Sequence, residues 1–240
     1  MEIDQEYPPG YVPHIGQSRQ YWRDIILGVN DGLVSIFLLV VGVVSGGLSQ
    51  QQVLLTATAG AIAGAVSMAA GEYLATKSQD EVLDAELELE QTHIRKFREM
   101  ELGQLRGFFT EMGVEDDHLD GVMAGFVDND EALLNAMGAL EFGIVDSERR
   151  SPYRAMAVSG GLFVLGSLPS VLPFAIAGNV TTAMVWATLL SLIALFAVGV
   201  VKAYVARTSW IRSGFENLIV AGVGGAIAWA IGRIFDANVA

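Results

Sequence analysis

The chain consists of five long apolar stretches interrupted by one long polar stretch. The apolar stretches are residues 25–47, 53–76, 156–177, 183–206 and 215–235. Each is long enough to cross a bilayer core of roughly 30 Å, which requires about 20 helical residues. The pattern therefore predicts an all-α membrane protein with five transmembrane helices.

The polar stretch between the second and third apolar stretches has the periodicity of helices. No proline occurs from residue 78 to residue 112, and Ile94, Phe97, Leu105 and Phe108 recur at helical spacing. We therefore expect one helix over 78–112 that continues directly from the second transmembrane helix.

Two shorter helices are expected after it. One is predicted over residues 115–127 and the other over 130–144, where residues 128–130 supply N-cap side chains. The predicted organisation is a tail at 1–24, transmembrane helices at 25–77, a helical insert at 78–152 and transmembrane helices at 153–240.

The negative charge of the protein is concentrated in this insert. The net charge is −13, and residues 78–152 contain 19 acidic and six basic residues, whereas the rest of the chain contains eight of each. An electroneutral apolar body with a carboxylate-rich insert indicates a membrane protein that handles cations. Adaptation to high salt is a second interpretation of the acidity, but it does not account for acids inside the spans.

The basic residues predict the orientation of the chain. With the N-terminus in the cytoplasm, 13 of the 14 basic residues fall on the cytoplasmic side, and only Arg233 falls outside. Residues 1–24 and 78–152 are then cytoplasmic. No cleavable signal peptide is expected, because the first residues are polar, acidic and rich in proline. Since no organellar address was identified, we expect a prokaryotic plasma membrane, or a vacuolar membrane if the source is eukaryotic.

Three residues in the first two spans are candidate metal ligands. Asp31 lies roughly 9 Å below the start of its span, where an ionisable group is expensive and normally faces a pathway or a partner. Met68 and Glu72 lie four residues apart, on one face of the second helix. Oxygen and sulfur ligands together suit a borderline ion such as Fe²⁺. The alternative is that Asp31 and Glu72 form a structural pair with a base such as Lys202.

The insert offers a second group of candidate ligands. Glu90 and Glu101 fall on a helical face that is otherwise apolar, and His93 lies three residues after Glu90. Met137 and Glu141 lie four apart on the third predicted insert helix. Because the chain has no cysteine, any metal site must use carboxylate, imidazole, thioether or backbone oxygen.

Three short motifs resemble a known family. Residues 31–35 read Asp-Gly-Leu-Val-Ser, residues 65–73 read Ala-Val-Ser-Met-Ala-Ala-Gly-Glu-Tyr, and residues 221–226 read Ala-Gly-Val-Gly-Gly-Ala. With the acidic insert, they resemble the vacuolar iron transporter (VIT/CCC1) family. The resemblance implies a homodimer with the ion path between the subunits, and export of cytosolic Fe²⁺ coupled to inward movement of protons.

The resemblance also implies roles for individual residues. Asp31 and Met68 match the membrane pathway ligands, with Glu72 beside them, and Met137 and Glu141 match the Met and Glu of the last insert helix. Glu90 and Glu101 fall where the first members of two Glu-x-x-Glu pairs are expected. Their second members are here His93 and Gln104.

The predicted function is transport of Fe²⁺, by proton antiport, for iron homeostasis. No tightly bound cofactor is expected, and Fe²⁺, Mn²⁺, Zn²⁺ or Co²⁺ would be bound as the transported ion. No phosphate-binding Gly-x4-Gly-Lys-Ser/Thr motif occurs, so we expect a non-enzymatic carrier without an ATP motor. A preference for Mn²⁺ remains open, and so does a membrane-tethered metal sensor or buffer that does not transport. Nucleic-acid binding is not expected, because there is no basic patch.

Overall fold

The computed structural model describes residues 18–143 and 149–239, and all regular secondary structure in this part of the chain is helical, without β-strands. Its eight helices are α1 (Ser18–Ser45), α2 (Gln50–Lys96), α3 (Arg98–Glu111), α4 (Asp116–Met123), α5 (Asp130–Glu141), α6 (Pro152–Ile176), α7 (Val180–Ala206) and α8 (Trp210–Val239). The prediction of an all-α protein is confirmed.

Five of these helices, α1, α2, α6, α7 and α8, are long and apolar enough to cross a membrane. They cover the five predicted spans except for residues 46–47 and 177, which lie just after the ends of α1 and α6. Helix α2 has 47 residues and is therefore roughly 70 Å long, more than twice the thickness of a bilayer core. Its first half can cross the membrane while its second half extends beyond it. The expectation that the second span continues into the insert is confirmed as far as Lys96.

The described chain divides into two compact units. The first unit comprises the residues up to Ala70 and from Met156 onward. Its core contains buried side chains from α1, α2, α6 and α7, including Val40, Ala57, Phe163 and Ala187.

Helices α1 and α6 cross with their backbones nearly in contact. A Cβ atom added to Gly32 would lie 2.2 Å from the carbonyl oxygen of Phe163, and one added to Gly166 would lie 2.3 Å from that of Val29. Only glycine leaves room for this approach, which is how helices commonly meet in lipid. The crossing fixes the part of α1 that carries Asp31.

The second unit, Gly71–Ala155, contains the end of α2 with α3, α4 and α5. Its apolar core contains Ile94, Leu105, Met123, Leu133 and Met137. The predicted single helix over 78–112 is wrong, because the helix ends at Lys96 and a new one begins at Arg98. Phe97 sits at the break and is 53% exposed, so it does not belong to the buried face that its spacing predicted.

The two later insert helices are shorter than expected. Helix α4 covers 116–123 instead of 115–127, because residues 124–128 form turns. Helix α5 covers 130–141, and residue 144 lies outside the described residues. The side chain of Asn129 accepts a hydrogen bond from the Ala132 amide, which confirms the N-cap predicted at 128–130.

Tertiary contacts explain why the first insert helix breaks. Just after the break, the Arg98 guanidinium donates hydrogen bonds to the carbonyl oxygens of Val127 at 2.7 Å and Phe126 at 3.2 Å. It also pairs with Asp130. These contacts tie the start of α3 to the segment between α4 and α5. A straight helix would give up both these contacts and the packing between Ile94 and Leu105.

Candidate metal centre

Glu90, His93 and Glu101 form a cluster of potential metal ligands in the second unit. One ligand atom from each lies within 4.8 Å of the other two. Nδ1 of His93 lies 3.8 Å from Oε2 of Glu90 and 3.8 Å from Oε1 of Glu101. Ligands of one ion with bonds of about 2.1 Å lie roughly 3–4 Å apart, so a small contraction of these side chains would enclose a cation.

The helix break creates this cluster. In a continuous helix, Glu90 and Glu101 would be separated by roughly 16 Å along the axis. Because the chain turns at Phe97, α3 brings Glu101 back towards the last turns of α2. The sequence identified the three residues, but the geometry that joins them depends on the break that it missed.

Both carboxylates are buried, which is costly for charged groups. Glu90 is 3% exposed and Glu101 is 2% exposed, and Oε1 of Glu90 has no hydrogen-bond partner. Burial first, and then the negative charges of Glu101 and Glu141, raise the pKa of Glu90 to about 7, although His93 opposes them. A cation held here would relieve the repulsion and pair the orphaned oxygen. The oxygen and nitrogen donors suit a borderline divalent ion.

The other predicted insert ligands are placed differently. Met137 is fully buried among apolar side chains that include Ile94 and Leu105. Ile94 lies one helical turn after Glu90, and Leu105 lies one helical turn after Glu101. Glu141 has an exposed side chain but raises the pKa of Glu90 through its charge. Gln104 is exposed on α3, one turn after Glu101.

In the first unit, Asp31 and Met68 are both partly buried. Oδ1 of Asp31 accepts a 2.9 Å hydrogen bond from the Ser35 hydroxyl. Within residues 18–143 and 149–239, no basic side chain pairs with Asp31. Met68 packs against the apolar core of its unit.

Glu72 has a basic partner that sequence analysis missed. Oε1 of Glu72 lies 3.3 Å from Nη2 of Arg150, within the second unit. The alternative interpretation of the sequence paired Glu72 with a base such as Lys202. Lys202 pairs with Glu216 at 3.1 Å instead. Glu72 is therefore paired with a base, as that alternative expected, but the base is Arg150. The signal in the sequence was the pair Arg149 and Arg150 in the polar link, residues 149–151, that directly precedes α6.

The sequence model of the VIT family matches residues 22–233. The chain belongs to the VIT family. It is 30% identical over 215 residues to vacuolar iron transporter 1 of Arabidopsis thaliana, covering 88% of this chain and 85% of the relative. It is 35% identical over 145 residues to the vacuolar iron transporter of Acanthamoeba castellanii, covering 60% and 52%.

The chain is also 25% identical over 217 residues to protein CCC1 of Saccharomyces cerevisiae, covering 86% of this chain and 66% of the relative. The family resemblance identified from the three motifs is confirmed. The match includes both units, since residues 22–233 span the five long apolar helices and the ligand cluster at Glu90, His93 and Glu101.

Proposed function

We propose that this protein is a divalent metal transporter that exports cytosolic Fe²⁺ in exchange for protons and so contributes to iron homeostasis. The observation that carries the proposal is the cluster of Glu90, His93 and Glu101, with one buried carboxylate oxygen left unpaired. It stands in a protein with five candidate spans. The names of the relatives, which are vacuolar iron transporters, support iron as the ion.

In this proposal the acidic insert collects the ion and the membrane ligands pass it on. The surplus of carboxylates in residues 78–152 raises the local concentration of cations. Asp31, Met68 and Glu72 then receive the ion at the inner end of the spans. Protons compete with metal for carboxylates, and a Glu90 pKa near 7 puts that competition in the physiological range. A proton gradient can therefore drive the exchange of metal for protons without hydrolysis of a nucleotide.

The oligomeric state in this proposal comes from the family resemblance, whereas the orientation and the membrane come from the sequence. The transporter is a homodimer whose ion path lies between the two copies, and the N-terminus and residues 78–152 face the cytoplasm. The membrane is the prokaryotic plasma membrane, or the vacuolar membrane in a eukaryote.

Transport in liposomes tests the function directly. We expect purified protein to carry Fe²⁺ across the membrane, and an opposing pH gradient to accelerate the flux. Asp31→Asn keeps the size and the Ser35 hydrogen bond but removes the charge, and it should abolish most of the flux. Asp236→Asn is the matched control, since Asp236 pairs with Arg233 at 2.9 Å near the end of another spanning helix. Normal flux in the Asp31 variant would refute its role as a ligand.

A second candidate function is supported by the Glu72–Arg150 pair. If this pair is permanent, Glu72 is not a ligand, and the protein is a membrane-tethered sensor or buffer that binds metal at Glu90, His93 and Glu101. Such a protein would bind Fe²⁺ in detergent but give no flux in liposomes.

If the protein does transport, competition among Fe²⁺, Mn²⁺, Co²⁺ and Zn²⁺ in the flux assay identifies the preferred ion, including a preference for Mn²⁺.

A further inference from the structure

Arg150 occupies the position of a cation at Glu72. Its Nη2 atom lies 3.3 Å from Oε1 of Glu72, and the two side chains are only 10% and 17% exposed. Arg150 stands in the short link that precedes α6. A guanidinium remains protonated at all physiological pH values, so this position keeps its positive charge.

Arg150 and a bound metal ion exclude each other at Glu72. A divalent ion coordinated by the Glu72 carboxylate would stand within a few ångströms of the guanidinium. In a largely buried place the repulsion between these like charges is weakly screened. Glu72 can therefore bind an ion tightly only when Arg150 has moved away.

The contacts on either side of the pair anchor the link independently of the Arg150 side chain. The neighbouring Arg149 forms its own ion pair with Asp84 at 2.7 Å. On the other side of Arg150, the Tyr153 ring packs against the Tyr73 ring with centroids 5.3 Å apart. These two contacts hold the link on α2 from both sides of Arg150. Displacement of Arg150 is thus a side-chain movement and does not require the link to unfold.

We propose that Arg150 is an internal competitor of the transported ion: it neutralises Glu72 in the metal-free state, is displaced when the ion binds, and returns to release the ion. This inference rests on the proposed function, because it takes Glu72 to be a ligand on the path. Arg150 then lowers the affinity of the protein for the ion and raises the rate at which the ion is released. Without the competitor, the ion would bind more tightly and leave more slowly.

The test is the concentration dependence of Fe²⁺ flux in liposomes for Arg150→Gln, Arg150→Lys and the control Arg106→Gln, since Arg106 pairs with Asp120 at 2.7 Å elsewhere in the same unit. Arg150→Gln should lower KM by about tenfold, because a nearby positive charge is lost, and should also lower kcat. Arg150→Lys keeps the charge and should keep KM within about twofold of the wild type. Arg106→Gln should change neither constant. An unchanged or higher KM in folded Arg150→Gln protein would show a purely structural pair and overturn the inference.

A labelling experiment on the wild type covers the case in which Arg150→Gln does not fold. Phenylglyoxal reacts with accessible guanidinium groups, and peptide mass spectrometry distinguishes Arg150 from Arg149. Excess Co²⁺ should accelerate modification of Arg150 and leave that of Arg149 unchanged, whereas equal rates with and without Co²⁺ would overturn the inference. Failure of the wild type to carry Fe²⁺ would instead refute the proposed function, and the labelling would still decide whether metal displaces Arg150.

Discussion

The imidazole of His93 and the carboxylate of Glu101 lie 3.8 Å apart although they belong to two successive helices. In an unbroken helix these residues would be separated by roughly 12 Å along the axis. The break at Phe97 therefore does more than shorten a helix. It brings two acidic side chains and an imidazole together in a buried place, where their mutual repulsion favours a bound cation.

Removing the charge of Glu101 should weaken metal binding by at least about tenfold, since loss of even an outer partner of a metal ligand commonly costs that much. The variant Glu101→Gln preserves the size of the side chain but lowers its negative charge. Titration of the full-length protein in detergent with Mn²⁺ or Co²⁺, followed by calorimetry, measures the dissociation constant.

Glu99→Gln is the control for this variant. Glu99 lies on the same helix α3, two residues before Glu101, but its side chain is exposed and is not part of the cluster. It should bind metal as the wild type does. Equal losses of affinity in the two variants would mean that the general acidity of the insert, and not the cluster, binds the ion.

The sequence predicted the spans better than the insert, and the reason is physical. A bilayer imposes a length and a composition on each spanning helix, so the five apolar stretches could be read directly. The break at Phe97 depends on hydrogen bonds from Arg98 to Phe126 and Val127, which are about 30 residues distant in the chain. Local periodicity contains no information on such contacts, and it favoured a continuous helix.

The candidate ligands show the same contrast. Glu90 and Glu101 could be selected because a carboxylate on an apolar helical face is unusual. The partner of Glu72 could not be selected, since Arg149 and Arg150 are chemically equivalent in sequence. Only the three-dimensional structure of residues 149–151 shows that Arg150 pairs with Glu72 and Arg149 with Asp84.

Metal binding should weaken as the pH falls below about 7. The pKa of Glu90 is raised to about 7, chiefly by burial and then by the charge of Glu101. Above this pH the carboxylate is ionised and free to bind a cation, and below it a proton must first be displaced. We expect the dissociation constant for Mn²⁺ to be constant above pH 7 and to rise towards tenfold per pH unit below it.

The control for this pH dependence is Glu90→Gln, which cannot take up the proton. Its binding should be weak at all pH values and should lack the change in slope near pH 7. A wild-type affinity that stays constant from pH 8 to pH 5.5 would contradict the assignment of Glu90 as a ligand that loses its proton.

Arg98→Ala should lower the free energy of local unfolding of α5 by about 1–2 kcal/mol. This is the typical contribution of hydrogen bonds from a charged group that is partly exposed. Hydrogen exchange of the α5 amides, residues 130–141, should then be faster by roughly tenfold. Arg95→Ala is the control, because Arg95 bonds to Gln91 on its own helix at 3.1 Å. Unchanged α5 protection in Arg98→Ala would show that the apolar core alone holds α3 against α5.

Gly32→Ala should destabilise the membrane unit, and Gly222→Ala should not. A Cβ atom at Gly32 would stand 2.2 Å from the carbonyl oxygen of Phe163, whereas one at Gly222 would have no atom within 4 Å. The neighbour of Gly32 is backbone, so the clash can be relieved only if α1 and α6 separate, at a cost of about 1–3 kcal/mol or more. Thermal unfolding in detergent, monitored by size-exclusion chromatography, distinguishes the two variants. Equal stability of the two variants would contradict the close packing of α1 against α6 at Gly32 and Gly166. The position of Asp31 would then need another explanation.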